Sequence, residues 1–343
     1  MEPHAAGMPL SFLPSPPDNG FYVGPLFVHF YGLMYVVGIA LAIYITRRRW
    51  QAAGGAPALV ADVATWAVPA GIIGGRIYFD ITTPGDIPPH WWGVFAVWSG
   101  GLGIWGGIAA GAAAGIWRVR RTGASAAVFA NAIAPALLVA QAVGRVGNYF
   151  NQELFGHPST LPWALEISRP HRPDGYGAFA TFQPTFLYEI IWDLALAALL
   201  VWLGHHRRIR PPGLFALYVA GYSAFRIFEE SLRIDSSEHF LGLRLNFYVA
   251  TAGVIAGLVW FVLIQRRTGP FPSAMPPPDD SGEPEAAGPA GSAGADDGRG
   301  TDGGTGDDAD AGQGAGRSGS GGQGSQPPGP GGASAVSARA ADK

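Results

Sequence analysis

Seven apolar runs of bilayer-crossing length divide this chain. A helix needs about 20 predominantly apolar residues to cross the hydrocarbon core. The runs are Phe27–Thr46, Ala58–Phe79, Val94–Trp117, Ala124–Gly144, Pro184–Leu203, Gly213–Leu232 and Asn246–Gln265. The predicted fold class is therefore an all-α polytopic membrane protein with about seven transmembrane helices. Four basic clusters, Arg47-Arg48-Arg49, Arg118/Arg120/Arg121, Arg207/Arg208/Arg210 and Arg266-Arg267, fall at alternate ends of these runs. Short Lys/Arg-rich loops stay in the cytoplasm, so an odd number of spans puts the N-terminus outside and the C-terminus inside. Met1–Leu26 carries no Lys or Arg and can cross. It also lacks the basic n-region and cleavage site of a signal peptide, so the first span is expected to persist in the mature protein.

Composition enters where the pattern stops. From Thr268 to Lys343 the chain is Gly, Pro, Ser, Ala and Asp with almost no aromatic or branched residues, a stretch unable to offset its own ordering entropy. The expected organisation is an extracytoplasmic segment at 1–25, a seven-helix transmembrane domain at 26–267 and a disordered cytoplasmic tail at 268–343. Within the domain, the long, partly aromatic loop 151–183 is expected to form a small extracytoplasmic cap. The chain has no cysteine, which excludes disulfides, thiolate metal sites and a cysteine nucleophile of its own. Any thiol chemistry here uses a thiol of the substrate.

Two patterns read as structural. Gly103, Gly107, Gly111 and Gly115 recur every fourth residue, a flat stripe that lets a neighbouring backbone approach. Trp91, Trp92 and Trp98 read as an interfacial aromatic belt.

Several arginines violate the charge rule that fixes this topology. Arg76, Arg145, Arg226 and Arg233 all lie at or near the outer ends of their spans. An arginine within a span costs roughly 2.5–3.5 kcal/mol on insertion scales. Pairing with Asp80, Glu153, Glu189, Glu229 or Glu230 would account for any one of them. Several at one membrane level suggest an anion, and a guanidinium fork matches phosphate bidentately, so an outer-leaflet phospholipid headgroup is the natural ligand. Polar residues accompany the arginines. Glu189 and Asp193 share one face of the fifth span, and Tyr222, Arg226 and Glu230 share one face of the sixth.

Gly144 to Gly156 reads Gly-Arg-Val-Gly-Asn-Tyr-Phe-Asn-Gln-Glu-Leu-Phe-Gly. This resembles the signature of the prolipoprotein diacylglyceryl transferase family, with Tyr149 where phenylalanine is usual. His29-Phe30-Tyr31-Gly32, Gly74-Gly75-Arg76, Trp98-Ser99-Gly100-Gly101, Gln183-Pro184 and Tyr222 to Arg233 extend the likeness over about Leu26 to Arg267. Two positions depart from it. Trp105 and Gln183 stand where many members carry histidine, so a base taken from either place is impossible here.

The resemblance implies a multi-pass enzyme of the bacterial plasma membrane. It would transfer the diacylglyceryl group of phosphatidylglycerol to the lipobox cysteine of prolipoprotein signal peptides, forming a thioether and releasing glycerol phosphate. The expected catalytic set is Arg145, Arg226, Glu153, Tyr31 and Asn148. The expected phosphatidylglycerol-binding set is Arg145, Arg226, Arg76, Tyr222, Glu230 and Arg233. Glu153 either accepts the thiol proton or holds Arg145 in place, and His29 is a further candidate for proton transfer. No metal, nucleotide, other cofactor or nucleic acid is implied, because no ligand-spaced carboxylate or histidine cluster and no phosphate loop is present. A non-enzymatic phospholipid binder or transporter using the same anion site is the rival reading.

Overall fold

The computed structural model describes residues 12–234, 239–240 and 242–275. Residues 1–11 of the expected N-terminal segment and 276–343 of the expected tail lie outside the described residues. Seven helices are described: α1 Phe30–Ala52, α2 Ala58–Thr82, α3 Ile104–Arg121, α4 Ala126–Asn151, α5 Thr185–His206, α6 Gly213–Leu232 and α7 Leu245–Gln265. Five of them, α1, α2, α4, α5 and α7, are long and apolar enough to cross a membrane by length and composition. The other two each carry three charged residues: Arg118, Arg120 and Arg121 at the end of α3, and Arg226, Glu229 and Glu230 near the end of α6.

α2 packs against α3 and α6 against α7, and α4 packs against α1, α5 and α6. Ala134 and Leu138 of α4, Leu196, Ala197 and Leu200 of α5 and Leu214 of α6 form a buried apolar cluster. At the end where the basic clusters gather, Trp50 is fully buried against Phe129, Val128 and Leu59. Arg49 donates there to the carbonyls of Ala132 (3.1 Å) and Asn131 (3.4 Å), pinning α1 to α4.

Three boundaries differ from the sequence reading. First, α1 continues through Arg47-Arg48-Arg49, since arginine is a good helix former and nothing there breaks the turn. Second, the third span begins late. Residues 93–99 form short 3-10 turns, and Gly100 and Gly101 take left-handed φ angles of 85° and 77° that only glycine adopts readily. Third, the chain stays packed beyond Arg267. Arg210 donates to the carbonyls of Gly269 (2.5 Å) and Pro270 (2.8 Å), Phe271 lies under the guanidinium of Arg210, and Ala274 is buried in the Trp50 cluster. The expected structureless region thus cannot begin before about residue 275.

The glycine stripe of α3 faces α2. A Cβ at Gly107 would sit 3.3 Å from the Gly71 carbonyl oxygen, and one at Gly111 would sit 3.2 Å from that of Ala67. Tyr78 fills the space beside Gly103 and Gly106, while Trp105 is 52% exposed. The indole therefore does not fill the gaps its glycine neighbours leave.

Residues 152–183 fold around Phe155, Leu165, Ile167 and Phe182, all buried. Strand β4 (Ala164–Glu166) pairs in parallel with β1 (Phe12–Leu13) and antiparallel with β5 (Thr181–Phe182). Between β1 and α1 lies a hairpin of β2 (Gly20–Val23) and β3 (Leu26–His29).

Candidate active site

The Gly144–Gly156 motif spans the last two turns of α4 and the turn that leaves it. Gly147 lets α1 approach, because a Cβ there would lie 2.5 Å from the Tyr31 ring and 3.2 Å from its Cα. Gly156 lets the cap approach α6: its Cβ would meet the Leu232 carbonyl oxygen at 2.8 Å. Its backbone pairs instead with Arg233, and His157 N–H donates to the Leu232 carbonyl at 2.9 Å. Gly144 behaves differently, since a Cβ there would meet nothing within 4 Å. Packing does not demand that glycine, and the position opens onto free space beside Arg145.

The turn after α4 is strained. Gln152 and Leu154 have φ of 51° and 57°, uncommon for non-glycine residues and costly for a bulky one. Surrounding bonds hold it: Gln152 Oε1 accepts from Ser168 N–H at 2.8 Å, and the Thr185 hydroxyl donates to the Leu154 carbonyl. Glu153 is presented between them.

From here a polar network runs across three helices. Asn148 Nδ2 donates to Glu153 Oε1 at 2.8 Å, and Asn151 Nδ2 reaches the same oxygen at 3.2 Å. Arg145 Nη1 donates to Asn148 Oδ1 at 3.2 Å, and Arg145 Nε pairs with Glu189 Oε2 at 2.7 Å. The Tyr222 hydroxyl donates to Glu189 Oε1 at 3.2 Å. Tyr31 lies near enough to feel the charges of Glu153 and Arg145, and its hydroxyl is 2.9 Å from that of Tyr35.

A second set is built on α6. Arg226 pairs with Glu229 through Nη1 (2.5 Å) and with Glu230 through Nη2 (3.1 Å). Glu230 is shared with Arg244, at 2.5 Å, and accepts from Asn246 Nδ2 at 3.2 Å. Arg244 also donates to the Arg233 carbonyl at 2.9 Å. Glu229 lies within electrostatic reach of Glu189, Arg226, Arg145 and Arg233, which joins the two sets into one cluster. Glu189, Glu229 and Glu230 are at most 3% exposed, whereas the Arg145 and Arg226 side chains are 19% and 20% exposed. Among the described residues, Arg145 Nη2 and Arg226 Nε make no hydrogen bond. Buried carboxylates therefore orient both guanidiniums and leave each with donors to spare.

The structure thus brings together Tyr31, Arg145, Asn148, Glu153, Tyr222, Arg226, Glu230 and Arg233. Arg76 is not among them. Its guanidinium donates to the carbonyls of Gly93 (2.6 Å), Val94 (3.0 Å), Gly100 (2.7 Å) and Gly101 (3.3 Å) and pairs with Asp80 at 3.0 Å. With those donors engaged and the residue 4% exposed, it ties the loop before α3 to α2 instead of offering a phosphate site. Arg244 and Asn246 escaped the sequence reading. Their one signal was another arginine near the end of a span. Gln183, in place of the expected histidine, accepts from the Tyr188 hydroxyl at 2.6 Å, and Tyr188 in turn accepts from Trp163 Nε1 at 3.0 Å.

Residues 19–263 match the family described as prolipoprotein diacylglyceryl transferase. Three relatives carry the name phosphatidylglycerol–prolipoprotein diacylglyceryl transferase. That of Cutibacterium acnes is 45% identical over 77% of this chain and 91% of its own length. That of Paenarthrobacter aurescens is 43% identical over 76% and 86%, and that of Frankia alni 44% over 77% and 70%.

Proposed function

Because this chain belongs to the prolipoprotein diacylglyceryl transferase family, we propose that it moves the diacylglyceryl group of phosphatidylglycerol onto the lipobox cysteine of prolipoproteins at the Arg145–Arg226 cluster. It is a multi-pass protein of the bacterial plasma membrane. In this reading all seven helices cross, with the cap outside and the basic clusters in the cytoplasm. The charges of α6 are compatible with burial because Arg226 pairs with Glu229 and Glu230, and Arg244 pairs with Glu230.

The observation that carries the assignment is the pair of arginines on α4 and α6, each oriented by buried acids and each retaining donors. Arg145 and Arg226 hold the phosphate of the lipid, with Tyr222, Glu230 and Arg233 setting their positions. The open space beside Gly144 admits the headgroup. The cysteine sulfur attacks the glycerol carbon that bears the phosphate oxygen. A C–S bond forms, the C–O bond breaks, and glycerol phosphate leaves with the electron pair. Charge accumulates on the departing phosphate, where preoriented guanidiniums stabilise it. The free donors of the nearby guanidiniums favour the thiolate over the thiol, so the thiol proton passes to the aqueous side with no side-chain base. Glu153 serves as the anchor that aligns Asn148 and, through it, Arg145. Tyr31 and Asn148 are within reach to donate to headgroup oxygens.

Incubating the purified protein with phosphatidylglycerol and a lipobox peptide tests this directly. Thioether product with stoichiometric glycerol phosphate is expected. Bound lipid without turnover would instead make the protein a phospholipid binder.

A further inference from the structure

One turn deeper than the arginine cluster lies a second polar layer that the proposed reaction does not use. Asp193, four residues beyond Glu189 on the same face of α5, is 0% exposed, and neither carboxylate oxygen has a hydrogen-bond partner among the described residues. Gln141, four residues before Arg145 on α4, has a buried Oε1 that is likewise without a partner. Tyr218, four residues before Tyr222 on α6, lies close to both. Three helices thus repeat the layer Arg145–Glu189–Tyr222 one turn down as Gln141–Asp193–Tyr218, with a neutral amide in place of the cation.

The charges facing Asp193 are Glu189 of its own helix, Arg145 of α4 and Glu229 of α6. Two are anions, and the cation is already engaged by Glu189 at 2.7 Å. A buried carboxylate without a cation or donors is not tolerated in its ionised form. We propose that Asp193 carries a proton in the resting enzyme and is a positioning residue: its neutrality keeps Arg145 on Glu189 and so presented to the lipid phosphate. An ionised Asp193 would compete for the guanidinium from one turn below and draw it away from the headgroup. The added proton also gives this layer a donor for the otherwise unpartnered oxygens.

The inference rests on the Arg145–Glu189 pair as the phosphate holder, and its central test needs no substrate. Infrared difference spectra of the full-length protein in lipid are compared for the parent and Asp193→Asn. A protonated-carboxyl carbonyl band, present in the parent and lost in the variant, is expected. The same band should vanish in Glu189→Gln, where Arg145 is freed to pair with the deeper acid. In the transfer assay Asp193→Asn, neutral and of the same shape, should keep the parent KM for phosphatidylglycerol and lose no more than about tenfold in kcat, the scale of one neutral hydrogen bond. Asp193→Leu, equally neutral and unable to compete for the guanidinium, should likewise keep the parent KM. Absence of the band in the parent overturns the proposal, as does an Asp193→Asn protein that binds lipid normally without turnover. Should Asp193→Asn fail to fold, Tyr218→Phe must shift the band's frequency, and an unmoved band is equally fatal. Transfer can fail while the band is found, which would sink the transferase reading and leave the neutral acid standing.

Discussion

Arg145 Nε lies 2.7 Å from Glu189 Oε2, an ion pair from α4 to α5 whose acid is buried and whose base is not. An acid held this way fixes a guanidinium without consuming its outer donors. Arg145→Ala should nearly abolish transfer, since a hydrogen bond to a charged group contributes about 1.5–3 kcal/mol, or roughly ten- to over a hundredfold in rate for each one lost. Arg145→Lys should restore only part, because a point charge lacks the planar fork. A near-normal kcat/KM in well-folded Arg145→Ala protein would remove this residue from the site.

Two glycines three residues apart should behave in opposite ways. Gly147→Ala drives a methyl group into the Tyr31 ring and should lower thermal stability. Gly144→Ala meets nothing and, alanine being the better helix former, should not lower the melting temperature while raising KM for phosphatidylglycerol. An unchanged KM in Gly144→Ala would mean the space beside Gly144 is not where the headgroup sits.

Glu153→Gln separates an anchor from a base. The amide oxygen can still accept from Asn148 and Asn151, so a moderate loss of rate, constant across pH, is expected. Recovery of the rate as pH rises would instead identify Glu153 as the proton acceptor.

The sequence made the helices legible because bilayer-length apolar runs leave little choice of structure, and the Gly144–Gly156 spacing marked Arg145, Asn148 and Glu153 as a set. Partner choice was not legible. Arg76 looks like Arg145 in sequence, each an arginine near the end of a span, yet one binds loop carbonyls and the other a carboxylate on another helix. That difference depends on the left-handed turn at Gly100–Gly101, which carries no hydropathy signal. Residues 268–275 were hidden for a similar reason. A Pro/Gly stretch with one phenylalanine has no period, and its docking depends on Arg210 and the Trp50 cluster, both distant in sequence.

Arg76→Ala should therefore appear as a stability defect. Losing several carbonyl contacts of a buried cation should lower the melting temperature clearly, and Arg76→Lys should not restore it. A change confined to KM for lipid, with unaltered melting, would return Arg76 to the substrate site.

Truncation after Met275 should leave melting and transfer unchanged. Truncation after Arg267 removes the carbonyls that Arg210 binds and the buried Ala274, and should cost about 1.5–3 kcal/mol of stability with KM for phosphatidylglycerol preserved. Identical melting of the two truncations would show that the docked segment contributes nothing.

The cap also sets an order in time. Its strand at Ala164–Leu165 pairs with Phe12–Leu13, made about 150 residues earlier, and Gly156 pairs with Arg233, made long after it. Such distant pairings close late in folding, because loop entropy must be overcome before they form. A nascent chain halted before α6 would hold Arg145 on a finished α4 while the cap above it lacked its second attachment. Lipid binding should therefore mature only when the sixth helix is in place, which makes the site itself a reporter of completed assembly.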